Sequence, residues 1–223
     1  MARPYFRQVP DFDYVNVNPS ETSTRNYVTV KNLFKRGQIR SEIFKNINYF
    51  EKYTIIGDKR PDNVAFDLYN DSTLDWVVLL SNNIINIQDE WPLPQDTLDE
   101  VLLKKYGTYE ILYDGIHHYE SIEQKNEQGI VIFPGGIHID QDFSIEYYSE
   151  ESGQVLRRDM AVPITNYEYE IRLENKKRTI YSLKPKYLSV LFNDIDKIMP
   201  YKEGSEQYVS KTLKKGFNIK LYT

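Results

Sequence analysis

Apolar positions along the chain are most regular between residues 53 and 98. Tyr53-Thr54-Ile55-Ile56 is a short β-prone run, stopped by the turn dipeptide Gly57-Asp58. Pro61 suits the first position of a helix, where its missing N–H costs nothing. Val64, Ala65, Leu68 and Tyr69 then form one stripe at helical spacing, and Asn70-Asp71 breaks it. Ser72 or Thr73 can cap a second helix, with Asp75 near its positive end. Trp76, Val77, Leu79 and Leu80 give that helix a wide apolar face, closed by Asn82-Asn83. The following Asp89-Glu90-Trp91-Pro92-Leu93-Pro94 cannot be regular helix. The predicted order is strand, helix, helix, then an extended approach to a second strand.

The flanking segments read differently. Residues 1–30 hold Pro4, Pro10 and Pro19 among polar residues and scattered aromatics, which predicts an extended arm, with Val28 and Val30 as a short strand. Residues 33–50 are a partly helical lead-in bent at Gly37. Thr97 caps a helix over 97–106, with Asp99-Glu100 in its first turn, Lys104-Lys105 in its last, and Gly107 as terminator.

From 108 to 162 the period changes to two. Tyr109, Ile111 and Tyr113 alternate, Asp114-Gly115 signals a hairpin, and Ile116–Glu120 returns; Ile130–Phe133, Phe143–Tyr147 and Val155–Arg157 are further strands. Residues 163–183 fit two patterns. Tyr167, Tyr169, Ile171 and Leu173 alternate as in a strand. Thr165-x-x-Glu168 is a capping box, with Glu168–Arg172 and Glu174–Arg178 at i,i+4 spacing. Both stay open; helix 166–177 followed by strand Thr179–Leu183 is the working assignment. Pro185 starts an amphipathic helix with Leu188, Leu191, Phe192, Ile195, Ile198 and Met199 on one face, ended by Pro200. The tail closes on the alternation Phe217, Ile219, Leu221.

The fold class is therefore α+β in four segments: an arm and lead-in (1–50), a central module (51–107), a β-rich insertion (108–162), and a helical segment with tail (163–223). Trp76, Leu79, Leu80, Leu188, Leu191, Phe192 and Ile195 are the expected core.

Composition narrows the function. The 223 residues carry 28 basic and 33 acidic side chains, net charge −5, without a long basic block, so nucleic acid is not an expected partner. The absence of Cys excludes disulfides, thiolate metal sites and a Cys nucleophile. No apolar run reaches the length of a membrane span, and the first residues show no signal-peptide pattern. Nineteen Tyr, ten Phe and two Trp favour both strands and protein interfaces.

The ordered set Gly57, Arg60-Pro61-Asp62, Ala65, Leu68-Tyr69, Asp75 to Leu80, Asn82-Asn83 and Trp91 resembles the small baseplate wedge subunit of contractile-tailed bacteriophages, over residues 31–107 and 163–199. The resemblance implies a LysM-like core and no known enzymatic activity. It implies a structural role, clamping other baseplate wedge proteins and neighbouring wedges of a sixfold ring, in a virion tail assembled in the host cytoplasm. Interface candidates are Phe6, Phe12, Tyr14, Trp91, Phe217, Ile219 and Leu221.

The alternative is a glycan-binding LysM module. Its loops would be Gly57–Arg60 and Ile85–Pro94, but Lys59-Arg60-Pro61 stands where glycan binders carry a Gly-Asp-Thr-Leu-type sequence. Trp91 can stack on a sugar, pack on a partner or cap the core. His117 and His118 lie on opposite faces of a regular strand, so a metal site needs His138 and a carboxylate such as Asp140 to converge with one of them. Gly135-Gly136 lacks the rest of a phosphate-loop pattern. No catalytic, cofactor or metal residue is assigned.

Overall fold

The computed structural model describes residues 3–15 and 27–216 of an α+β protein. The chain divides into two compact units. One comprises the residues up to Trp91 together with those from Thr179 onward; the other is Pro92–Arg178. These limits differ from the four expected segments.

The first unit is built on strand Phe50–Thr54, helix Pro61–Tyr69 and helix Asp75–Ser81. Pro61 occupies the first helical turn, and Asn70 ends the helix in the left-handed region at φ 56°. Asp71, rather than Ser72 or Thr73, supplies the next cap: its carboxylate accepts from the Thr73 N–H at 2.9 Å and opens the single turn Ser72–Leu74.

The strand that pairs with Phe50–Thr54 is not the piece after Trp91. It is Thr179–Leu183, antiparallel, with Phe50 opposite Leu183 and Thr54 opposite Thr179. Pro92 and Pro94 have no N–H for a ladder, which accounts for the irregular backbone there. The module expected over 51–107 is thus completed from beyond the second unit.

Both helices and the two strands face one core. Val64, Ala65, Val77 and Val78 are fully buried, and Ile180, Leu183, Leu191 and Ile195 nearly so. Trp76 and Leu80 belong to it, with Leu79, Leu188 and Phe192 partly buried against it. Helix Leu188–Ile198 presents Leu191 and Ile195 inward, while Ile198, expected on the same face, is 42% exposed. Asp194 lies buried on the inner side and is neutralised by Arg40, whose Nε donates to its carboxylate at 2.6 Å.

The expected extended arm holds in part, and its short strand at Val28 and Val30 is present as Tyr27–Lys31. Residues 5–8 form one helical turn, and Asp11–Val15 is a strand between Tyr27–Lys31, antiparallel, and Leu213–Lys215, parallel. Tyr208–Ser210 completes this four-stranded sheet. Val9 is 2% exposed and Tyr5 packs beside Trp76. Val9 is thus buried and Tyr5 half-buried against their own unit, which offsets part of the entropy of ordering so polar a segment, while Phe6 and Tyr14 stay exposed.

In the second unit, helix Gln95–Tyr106 buries Leu98 and Leu102 around Leu112. It starts two residues before Thr97, and no side chain caps it. Residues 109–113 are helix, not strand. The Thr108 hydroxyl accepts from the Ile111 N–H, Tyr109 and Tyr113 stack one turn apart, and Leu112 turns inward. Gly115 follows because a Cβ there would lie 2.3 Å from the Ile111 carbonyl oxygen.

The other strands expected within 108–162 are present, as Ile116–Ser121, Val131–Phe133, Ser144–Ser149 and Gln154–Asp159. Ile116–Ser121 lies between Ala161–Thr165 and His138–Ile139, and Ser144–Ser149 pairs with Gln154–Asp159. Residues 166–177 are helix, opened by the complete Thr165/Glu168 capping box.

Candidate docking face and histidine cluster

Two features outside the cores carry chemistry. The first is an apolar groove of about 590 Å³ in the first unit, lined by Tyr5, Phe6, Leu33, Trp76, Leu79, Ile85 and Ile87 among others. The Pro61 and Asp75 helices fix Trp76 and Leu79, and the turn at residues 5–8 lays Tyr5 against the indole, ring centroids 5.8 Å apart. Phe6, Leu33, Ile85 and Ile87 are exposed, and Phe34 beside Leu33 is fully so. An apolar surface of this kind is unusual on a protein that acts alone.

Three charged side chains, Lys35, Arg36 and Asp75, border the groove. Burial raises the Asp75 carboxyl above its ordinary range, partly offset by the Trp76 N–H that it accepts. Lys35 is lowered, first by desolvation and then by Lys214 and Lys202; its ammonium donates to the carbonyls of Met199 and Pro200 at 2.6 and 2.7 Å.

The interface candidates from the sequence do not gather at one place. Phe6 lies in this groove and is 59% exposed. Tyr14 is exposed on the terminal sheet, where Phe12 is half-buried against Gly216. Phe217, Ile219 and Leu221 fall outside the described residues. Trp91 is corrected from interface to interior: it is 5% exposed, and its indole N–H donates to the Lys59 carbonyl at 3.0 Å. Turned inward, the ring satisfies its one donor and covers the core; it offers no face for a sugar. Leu33, Phe34, Ile85 and Ile87 were missed as surface residues. In the sequence Leu33 and Phe34 read as part of the apolar stripe of the lead-in, and Ile85 and Ile87 lie in a stretch without a clear period.

The second feature lies in the Pro92–Arg178 unit. Glu120 faces His138 across the ladder, and His118, two residues before Glu120, shares that side. His118 Nε2 is 3.0 Å from Glu120 Oε1, and the His118 and His138 rings stack at 4.0 Å. Arg172 donates to Glu120 Oε2 at 2.7 Å. Arg172, and secondarily His118, hold the Glu120 carboxyl below its usual range.

His117 joins from the side, which strict alternation excludes. The register skips it: Ile164 pairs with His118 and Thr165 with Ile116. This irregularity turns the ring so that His117 Nδ1 meets His118 Nδ1 at 2.8 Å while stacking on Tyr169 at 3.8 Å. The carboxylate that converges is Glu120; Asp140, the example considered from the sequence, is not in the cluster.

No helix among the described residues is long and apolar enough to cross a membrane. No curated protein matches the sequence. The family described as Base plate wedge protein 53 matches residues 12–198, which span both units and include the groove's Leu33, Trp76 and Ile85. On that match, the chain belongs to the phage base plate wedge protein 53 family, structural proteins of the tail baseplate.

Proposed function

We propose that this chain clamps neighbouring baseplate proteins together as wedges form and close into a sixfold ring, and that the groove beside Trp76 is where a neighbouring wedge protein docks. The carrying observation is the groove itself: a largely apolar lining, with exposed Leu33, Phe34, Ile85 and Ile87 around it, in a member of a family that works inside a multi-protein assembly. A buried aromatic with exposed aliphatic neighbours is the composition of an interface hot spot.

The order strand Phe50–Thr54, two helices, strand Thr179–Leu183 supports reading the frame as LysM-like. Its role here is mechanical, to hold the groove's helices, and we assign it no catalysis. Assembly takes place in the host cytoplasm. Phe6 contributes directly to the docking face. Tyr14 and the tail residues Phe217, Ile219 and Leu221 extend contact to a second neighbour. Nucleic acid and membrane are not among the proposed partners.

Hydrogen exchange of the full chain, alone and in a wedge assembled from the other baseplate proteins, tests the docking face. Docking predicts slowed exchange at residues 33–36 and 84–88 in the wedge. Unchanged exchange there, with protection elsewhere, overturns it.

A further inference from the structure

His118, Glu120 and His138 lie together on one side of the small sheet of the Pro92–Arg178 unit, although 18 residues separate His138 from Glu120 in the chain. Each offers one ligand atom, and the three atoms lie within 4.8 Å of one another. Around a zinc ion with bonds of about 2.0–2.2 Å, ligand atoms stand roughly 3.3 Å apart. His118 Nε2 and Glu120 Oε1, at 3.0 Å, are already at that spacing. His138 is exposed and sits at the sheet edge, so its ring has room to turn inward.

The surroundings suit a metal more than a plain ion pair. A ligating imidazole needs its other nitrogen held by an acceptor, which fixes tautomer and ring orientation. His118 has that acceptor in His117 Nδ1, 2.8 Å from its own Nδ1. Tyr169 stacks on His117 and keeps it in place. Arg172 takes Glu120 Oε2 and leaves Oε1 toward the histidines. Helix Asn166–Lys177 supplies both Tyr169 and Arg172, one turn apart.

We propose that His118, Glu120 and His138 bind a divalent transition-metal ion, zinc before the others, as a structural clip between strands Ile116–Ser121 and His138–Ile139. Two imidazoles and one carboxylate form a donor set that zinc accepts, with water in the fourth position. The ion takes the place of the proton on His118 Nε2. The imidazole stays neutral by carrying its proton on Nδ1 and donating it to His117 Nδ1, while the His117 proton sits on Nε2. Glu120 keeps its bond to Arg172, so helix Asn166–Lys177 is coupled to the same ion.

The test is calorimetric titration of the full chain, stripped of metal by chelator, with zinc chloride. The expected result is one zinc per chain, with binding weakened about 100-fold or more in His138→Ala and in Glu120→Gln. His138 is exposed, so His138→Ala should keep the metal-free fold; an unchanged circular dichroism spectrum checks this. Imidazole nitrogen NMR should show the largest shifts at His118 and His138 on zinc addition, with a smaller one at the hydrogen-bonded His117. Absence of stoichiometric uptake by the wild type overturns the proposal. So does equal affinity in His138→Ala, or a shift confined to His117.

Discussion

The indole N–H of Trp76 donates to the backbone carbonyl of Arg3 at 2.9 Å. That bond ties Arg3 to the first turn of helix Asp75–Ser81. Tyr5 and Phe192 contact the same indole, at 5.8 and 6.1 Å between ring centroids. Trp76→Ala should cost about 3–5 kcal/mol, as for buried aromatics generally. Trp76→Phe should cost less, because it keeps the ring contacts and loses only the Arg3 bond. Urea denaturation of both variants checks the order, and a near-wild-type midpoint for Trp76→Ala would contradict the packing.

Removal of residues 1–15 should destabilise the isolated protein. Val9 is 2% exposed, Tyr5 packs on the core, and Asp11–Val15 is one of the two inner strands of the terminal sheet. Losing two such side chains costs about 3 kcal/mol or more, a fall in melting temperature of roughly 6–12 °C. Calorimetry of the truncated chain measures it. An unchanged melting temperature would mean that the arm does not hold its own unit.

Tyr69 gives a pH dependence with a definite sign. Its hydroxyl donates to the Leu183 carbonyl at 2.8 Å and lies 2.6 Å from Ser182 Oγ. Burial pushes its pKa from 10.0 up to about 12, with the Ser182 contact pulling the other way. The folded state therefore keeps this proton where the unfolded chain loses it. The stabilisation is complete below pH ~10 and is lost as pH rises through about 12. Between these values the wild type should lose stability relative to Tyr69→Phe, with a slope approaching ~1.4 kcal/mol per pH unit. Parallel stability curves from pH 9 to 12 would contradict the burial of this hydroxyl.

Gly115→Ala should unsettle the second unit. The new Cβ would lie 2.3 Å from the Ile111 carbonyl and 2.7 Å from Asn166 Nδ2, which donates to that carbonyl at 2.8 Å. Overpacking of this kind costs about 1–3 kcal/mol. Amide chemical shifts should move around Leu112 and Asn166. A spectrum unchanged there would place the backbone elsewhere.

What the sequence revealed was the chemistry that acts within a few residues. Pro61 at a helix start and the stripe through Leu191 and Ile195 each settle a local structure without help from afar, whereas the Thr165/Glu168 box competed with a strand-like alternation and prevails only in the fold. Where local chemistry was ambiguous, tertiary contact decided. Tyr109, Ile111 and Tyr113 alternate like a strand, yet all three are exposed and it is Leu112 that is buried, the reverse of the expected face.

Pairing at long range left no mark in either partner. Nothing in Phe50–Thr54 names Thr179–Leu183, and nothing in Glu120 names His138. Trp91 misled because polar and Pro-rich neighbours surround a ring that folds inward. The groove was illegible because Phe6, Leu33 and Ile85 come from separate segments, a helical turn and two loops, and meet only in the fold.

Complementation tests the docking face most directly. Cells infected by phage lacking this subunit would supply it as wild type or as the double variant Leu33→Asp, Ile85→Asp. Both positions are exposed, at 72% each, so the variant should fold and melt like the wild type. Two charges in an apolar contact disfavour docking strongly. The account predicts that the variant stays in the soluble fraction, absent from wedges and purified tails, and yields no infectious particles. Incorporation of the folded variant at wild-type stoichiometry, with normal infectivity, would contradict it.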